Sequence, residues 1–228
     1  MTFIKNIVNL FFPEVCVGCN SHLIAEDLIL CLNCRHDLPL TKFSFEPNNK
    51  VEKIFYGRVP IQNATALLYF SKKGIVQEMM HNLKYRNQQK IGALLGNLLG
   101  EEMVLSKRFS NIDFIIPVPL HQKKLKKRGY NQVTSFGQSV ANQFEIPFKE
   151  DILYKISNTK TQTNKLRLDR WINAEELFIV KQPKELENKH ILIVDDIVTT
   201  GATLEACAKA FEKINNLQIS IACISYTQ

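Results

Sequence analysis

The chain is poor in glycine, and what glycine it has is not arranged as a phosphate-binding loop. Its nine glycines make no Gly-x-Gly-x-x-Gly run, and none is followed by Lys-Ser or Lys-Thr. The simplest dinucleotide and P-loop nucleotide readings are thereby excluded. A membrane-spanning run is missing as well. The most apolar N-terminal stretch, residues 3–12, is interrupted by Lys5, Asn6 and Asn9 and stopped by Pro13, far short of the twenty or so residues a span needs. That stretch lacks a secretory apolar region with a small-residue cleavage site, so the expectation is a cytoplasmic chain with no membrane insertion. Internal repeats and low-complexity tracts are absent. With 45% hydrophobic and 22% charged residues, wholesale disorder is excluded. The 228 residues suffice for one full domain with a small appendage.

Acidic residues are scarce in one place only. The net charge is +7, and residues 121–170 carry all of it, because the remaining chain holds as many acids as bases. A scattered surplus reads as a solvated, solubilising face. A surplus confined to about a fifth of the chain favours an anionic partner, phosphate or nucleic acid.

Apolar spacing organises the rest. Phe3, Ile4, Ile7, Val8, Phe11 and Phe12 recur at helical intervals before Pro13. Residues 41–60, with Pro47-Asn48-Asn49 and Gly57, are mixed and polar and read as a linker. This division predicts a module over residues 1–40 and a domain over residues 61–228. In the latter, strands are predicted at 65–70, 114–118, 191–194 and 219–224. Helices are predicted around Ile75–Leu83, Ile91–Leu99, Val133–Phe144 and Ala202–Ile214. Gly92, Gly96 and Gly100 recur every four residues, which favours close helix packing over a ligand loop. Continuous apolar strands alternating with amphipathic helices predict an α/β fold with a parallel sheet covered on both faces.

Cys16-x2-Cys19 and Cys31-x2-Cys34 are two pairs with eleven residues between them. Each pair can present two sulfurs from a tight turn, and four thiolates complete a tetrahedral structural zinc site. Disulfides and an iron–sulfur cluster are the alternatives; the missing secretory signal weighs against the first. About forty residues bury too little apolar surface to fold alone, so the ion would take the place of a core. Four sulfurs leave no open position for a reactive water. Cys207 and Cys223 fall in the final helix and strand and read as core. His22 and His36 flank the cluster as weaker ligand candidates.

The most informative stretch is Ile191-Leu-Ile-Val-Asp-Asp-Ile-Val-Thr-Thr-Gly-Ala-Thr203. An apolar strand runs into Asp195 and Asp196, the chain turns, and a helix begins after Gly201. Ligands of open parallel sheets bind at the carboxyl ends of strands. Thr199, Thr200, Gly201, Ala202 and Thr203 offer hydroxyls and backbone N–H groups at a helix start, a cradle for an anion. Two carboxylates beside it can accept hydrogen bonds from vicinal sugar hydroxyls. A ribose 5-phosphate satisfies both halves. The competing readings are an NTPase acid without its P-loop, and a plain turn with a helix cap. Lys123, Lys124, Lys126, Lys127 and Arg128 are five bases in six positions, and Arg128 has the forked head that grips phosphate best. Lys84-Tyr85-Arg86 is a weaker candidate for the same site. Tyr130, beside Gly129, is read as either a stacking surface for a base or a packing residue.

This stretch resembles the phosphoribosyl pyrophosphate (PRPP) signature of type I phosphoribosyltransferases. With the four cysteines, Pro117-Val-Pro-Leu-His121, Arg128-Gly-Tyr-Asn-Gln132 and Thr161-Gln-Thr163, nearly the whole chain resembles the ComF family, linked to DNA uptake in bacterial competence. The resemblance implies that Asp195 and Asp196 hold the ribose hydroxyls, with catalytic roles. It implies that Thr199 through Thr203 bind the 5-phosphate, with Arg128 and the loop after Ile116 near the pyrophosphate and Mg²⁺ alongside. Residues 157–170 would be a mobile hood, though Thr163-Asn-Lys165 departs from the family pattern there. Two functions follow. One is a PRPP-binding protein in which Lys123, Lys124, Lys126 and Lys127 meet single-stranded DNA or a helicase-like competence partner. The other is an active phosphoribosyltransferase, a glycosyltransferase that releases pyrophosphate onto an acceptor the residues do not name.

Overall fold

The computed structural model of the protein describes residues 14–23, 28–156 and 177–227. The predicted helix over residues 3–12 and the predicted hood over 157–170 lie outside them. The described elements are, in order, α1 (Leu32–His36), α2 (Lys50–Phe55), β1 (Ala64–Phe70), α3 (Ile75–Tyr85), α4 (Gln89–Ser106) and β2 (Phe114–Pro117). They continue with α5 (Gln122–Arg128), α6 (Thr134–Phe144), β3 (Leu153–Ile156), β4 (Leu177–Val180), β5 (His190–Val198), α7 (Ala202–Ala210) and β6 (Gln218–Thr227).

Four strands form one sheet in the order β1-β6-β5-β2, every neighbouring pair parallel. β3 and β4 pair antiparallel as a separate two-stranded sheet. Burial on both faces explains why the central strands read as unbroken apolar runs. Along β5, Ile191 and Ile193 join one core while Leu192 and Val194 join the other. β6 divides in the same way, with Ile219, Ile221 and Cys223 on one face and Ala222 and Ile224 on the other. The period of two in strand side chains produces this division.

The first core gathers α3, α4 and α6 over one face. The glycine stripe of α4 lies against α6: a Cβ on Gly96 would strike the carbonyl of Phe136, and one on Gly100 would lie 2.7 Å from Gln143 Cγ. The stripe is therefore a packing seam, as the spacing predicts. Cys16, Val17, Leu30, Cys34 and Leu38 join this same core, and Asn82 Nδ2 on α3 donates to Val17 O at 3.0 Å.

The second core holds α7 and, from the stretch expected as a linker, the buried side chains of Phe43, Val51 and Phe55. Residues 41–60 contain a 3-10 turn (Phe43–Phe45) and α2. Their polar look has a physical cause. Asn49 caps α2 by accepting from Val51 N and Glu52 N, while its amide donates to Phe43 O, Glu46 O and Ala64 O. Arg108 closes the segment from below, 2.6 Å from Glu52 Oε1 and 2.7 Å from Glu46 O. Several strand and helix limits differ from the sequence reading. β5 runs on to Val198, β6 runs on to Thr227, and the last helix stops at Ala210.

Candidate active site and metal centre

The ladder between β2 and β5 ends at Pro117 and Val194, while that between β5 and β6 continues to Val198 and Tyr226. Among the described residues, β5 from Asp195 onward therefore has a strand neighbour on one side only. The chain leaving β2 turns toward α5 and α6, and the chain leaving β5 enters α7 on the opposite face. Diverging connections of this kind open the crevice in which parallel sheets bind ligands. The two acids lie at its floor, inside the strand rather than at its end.

Their surroundings differ. Asp195 is half-buried and its Oδ1 accepts from Asp196 N at 2.8 Å. Asp196 is buried. Its Oδ2 lies 2.8 Å from Lys84 Nζ and accepts from Gln132 Nε2 at 2.7 Å. A buried carboxylate requires such partners, because its desolvation is otherwise too costly. Arg128 donates to Gln132 Oε1 in turn and lies over the Tyr85 ring, 5.4 Å from its centroid.

Two adjoining cavities follow from this arrangement, sharing Asp195 and Thr203. The smaller, about 60 Å³, is lined by Thr199 through Leu204. Gly201 is required here twice over. Its φ is +75°, in the left-handed region, and a Cβ would lie 2.5 Å from Ile54 Cγ2. Arg58 holds the loop from beneath, donating to Thr200 O at 2.7 Å and pairing with Glu205. Lys209, 2.8 Å from Glu205, and Arg58 together hold that carboxyl below its ordinary range, so its charge beside the loop is matched. The larger cavity, about 240 Å³, has the acids on one side and Lys84, His121, Lys124, Arg128 and Lys155 around it.

The basic helix α5 has two faces. Lys124 and Arg128, one turn apart, line the cavity, while Lys123, Lys126 and Lys127 are exposed and do not. His121 caps the helix, its Nδ1 accepting from Lys123 N at 3.2 Å. Gly129 closes it in the left-handed conformation, φ +83°. Tyr130 is a packing residue: its hydroxyl donates to Leu83 O, and burial raises its pKa.

The four cysteine sulfurs of Cys16, Cys19, Cys31 and Cys34 lie within 4.8 Å of one another. Cys19 and Cys31 Sγ are 3.8 Å apart, and a tetrahedral ion with bonds near 2.3 Å sets sulfurs about 3.8 Å apart. Backbone N–H groups aim at the sulfurs, Gly18 N and Cys31 N at Cys16 Sγ and Cys34 N at Cys31 Sγ. Such donors favour thiolate. The Ser21 hydroxyl and backbone lower the Cys19 thiol to about 6, while burial pushes Cys34 well up. The donor set fits a metal ion. His36 instead pairs with Asp37 at 3.0 Å, and Cys207 and Cys223 are core residues.

Comparison with known proteins agrees with this geometry. The family model for the phosphoribosyl transferase domain matches residues 134–227. Competence protein F of Haemophilus influenzae is 30% identical over 147 residues, 63% of this chain and 64% of that protein. The DNA utilization protein YhgH of Salmonella typhi is 27% identical over 152 residues, 65% of this chain and 66% of that one. Competence protein ComFC of Streptococcus pneumoniae is 25% identical over 144 residues, 63% and 60% of the two chains. The chain is similar to these competence and DNA utilization proteins over about two thirds of its length and carries the phosphoribosyl transferase domain match at its C-terminal end. In none of these three does the match reach two thirds of the relative's own length.

Sequence reasoning underweighted three residues of this site. Lys84, ranked behind the α5 bases, is the partner of Asp196. Gln132 and Lys155 were given no role at the site, and both line its larger cavity. No residue pattern marks Arg58, whose task is to hold a loop 142 residues further on.

Proposed function

We propose that this chain binds PRPP in the crevice between β2 and β5 and acts in the uptake or handling of DNA. Single-stranded DNA or a helicase-like partner would lie on the outer face of α5. One observation carries the first half: the two cavities meet at Asp195 and Thr203, so a ribose between them reaches both at once. Its 5-phosphate would sit on the N–H and hydroxyl groups of residues 199–203 at the start of α7. Asp195 would accept from the ribose hydroxyls. Lys84, Lys124 and Arg128 would face the pyrophosphate, where fixed cations favour a departing anion. Mg²⁺ fits the donor set of carboxylate plus phosphate oxygens, with Asp195 as the protein ligand, and would neutralise pyrophosphate charge.

Calorimetric titration with Mg·PRPP tests this reading. Wild type should bind, Asp195→Asn should weaken binding at least tenfold, and ribose 5-phosphate should bind more weakly than PRPP. Absence of heat with PRPP at millimolar concentration overturns it. The DNA half rests on the exposed Lys123, Lys126 and Lys127 and on the names of the competence and DNA utilization relatives. A salt titration of strand binding by anisotropy tests it. Each phosphate contact on a single strand adds about 0.7 to the log–log slope, so losing three lysines should flatten it by about 2.

The second reading is an active phosphoribosyltransferase. It is favoured by a neighbouring cavity of about 520 Å³ that shares Pro119, Leu120 and Lys155 with the crevice and has room for an acceptor. Pyrophosphate release from PRPP in the presence of an acceptor panel distinguishes the two.

A further inference from the structure

We propose that Tyr85, with His81, is a stacking platform for a base of single-stranded nucleic acid at the mouth of the crevice. The proposal rests on the nucleic-acid reading of α5 above. An amphipathic helix ordinarily shows water a charged or polar face, yet α3 presents two rings there, four residues apart. His81 and Tyr85 are both exposed, their centroids 5.2 Å apart with planes inclined by 47°. Tyr85 is 66% exposed, against 54% for Tyr56, 46% for Phe45 and 36% for Tyr154. Arg128 and His81 contact the ring, and most of its surface still faces water.

The electrostatic setting selects the ligand. Arg128 lies over the Tyr85 ring at 5.4 Å, the neighbours of Tyr85 in the chain are Lys84 and Arg86, and Lys124 lines the same cavity as Tyr85. An apolar partner surface would not be drawn to a ring ringed by cations. A base carried on a phosphate backbone is, because rings take the base while cations take the phosphates, without regard to sequence. Arg128, which contacts the ring, stands on the same short helix as the exposed Lys123, Lys126 and Lys127, so a strand held by α5 can set one base on the ring. Tyr130, the aromatic inside the basic run, is part-buried and lines the neighbouring cavity rather than the crevice that Tyr85 lines.

The test compares an oligothymidylate of about twelve nucleotides, within the span of single-strand sites, with an abasic strand of equal length. Wild type should bind the base-bearing strand about fivefold or more tightly, the effect of one stacked base. Tyr85→Ala should erase that preference while keeping the salt slope, and Tyr85→Phe should restore it, because the ring and not the hydroxyl stacks. Equal binding of the two strands by wild type, with a steep salt slope, overturns the platform and leaves the α5 phosphate contacts standing. No binding of either strand overturns both readings. Displacement of the strand by micromolar thymidine monophosphate would assign the ring to a free nucleotide and overturn the strand proposal.

Discussion

Lys84 and Asp196 set up an asymmetry that can be measured without any ligand. The two charges are 2.8 Å apart, with side chains 22% and 9% exposed. At the effective dielectric of a protein the gross attraction is about 6 kcal/mol, most of it offset by the cost of drying both groups. Removing one partner of a buried pair costs about 3–5 kcal/mol, because the other is left uncompensated. Lys84→Met strands a carboxylate that is only 9% exposed and is left with Gln132 as its side-chain partner, so it should cost about 3 kcal/mol. Asp196→Asn strands an ammonium on a flexible stem that can turn outward, and should cost about 1–2 kcal/mol. The double variant removes both charges, and its cost should fall short of the sum by about 2 kcal/mol. Urea unfolding with an unchanged slope reads these differences directly, and the Lys84→Met shift corresponds to roughly 6–12 °C in Tm for a chain of this size. Single-variant costs that add within 0.5 kcal/mol, or a costlier Asp196→Asn, would refute the burial asymmetry.

Helix propensity alone makes Gly96→Ala stabilising by about 1 kcal/mol; the contact with Phe136 and Ser139 makes it destabilising by about 1–3 kcal/mol, so the sign of the Tm shift decides. The four-cysteine site should hold one zinc ion per chain, checked by elemental analysis. Because Cys16 and Cys34 share a core with the sheet, chelation should lower the melting of the whole chain and not only of the module. His190 is 7% exposed, bonded to Ser220, and burial lowers its pKa. The unfolded chain then takes up a proton near pH 6.5 that the fold resists, so stability should fall as pH drops below about 6.5. His190→Asn should flatten that slope in a pH series of urea unfolding curves.

The sheet was legible because its code is local. β5 and β6 are buried on both faces, and nothing but an apolar run satisfies that. The acids and the Thr-Thr-Gly turn were legible for a similar reason, since a strand, a tight turn and a helix start must follow one another in the chain. What was not legible depends on partners distant in sequence. The pairing of Lys84 with Asp196 spans more than a hundred positions, and neither residue's neighbours announce it. The β3–β4 pair was missed because its short strands mix exposed and buried positions, as Tyr154 and Ile156 show. Residues 41–60 were misleading in composition: Pro47-Asn48-Asn49 has the residues of a linker, but Asn49 spends its polar atoms on five backbone groups.

That last segment bears directly on the site. Ile54 sets how near Gly201 can come, and Arg58 holds Thr200 O and Glu205, so the geometry of the phosphate cradle is fixed from outside the signature that identifies it. Arg58→Ala should therefore separate positioning from contact, since the guanidinium bonds the far side of the loop and Glu205. Its loss frees Thr200 O and leaves Glu205 with Lys209 alone, placing less-balanced negative charge in the first turn of α7, where an anion would bind. Affinity for inorganic phosphate should drop about three- to tenfold, the worth of one charge-assisted hydrogen bond of partial exposure. Arg58→Ala/Glu205→Gln should recover part of it, because the excess charge is gone. A direct phosphate contact by Arg58 would predict the opposite: no recovery in the double variant. Phosphate titration of the three proteins by calorimetry, with Tm as the check on folding, decides between them.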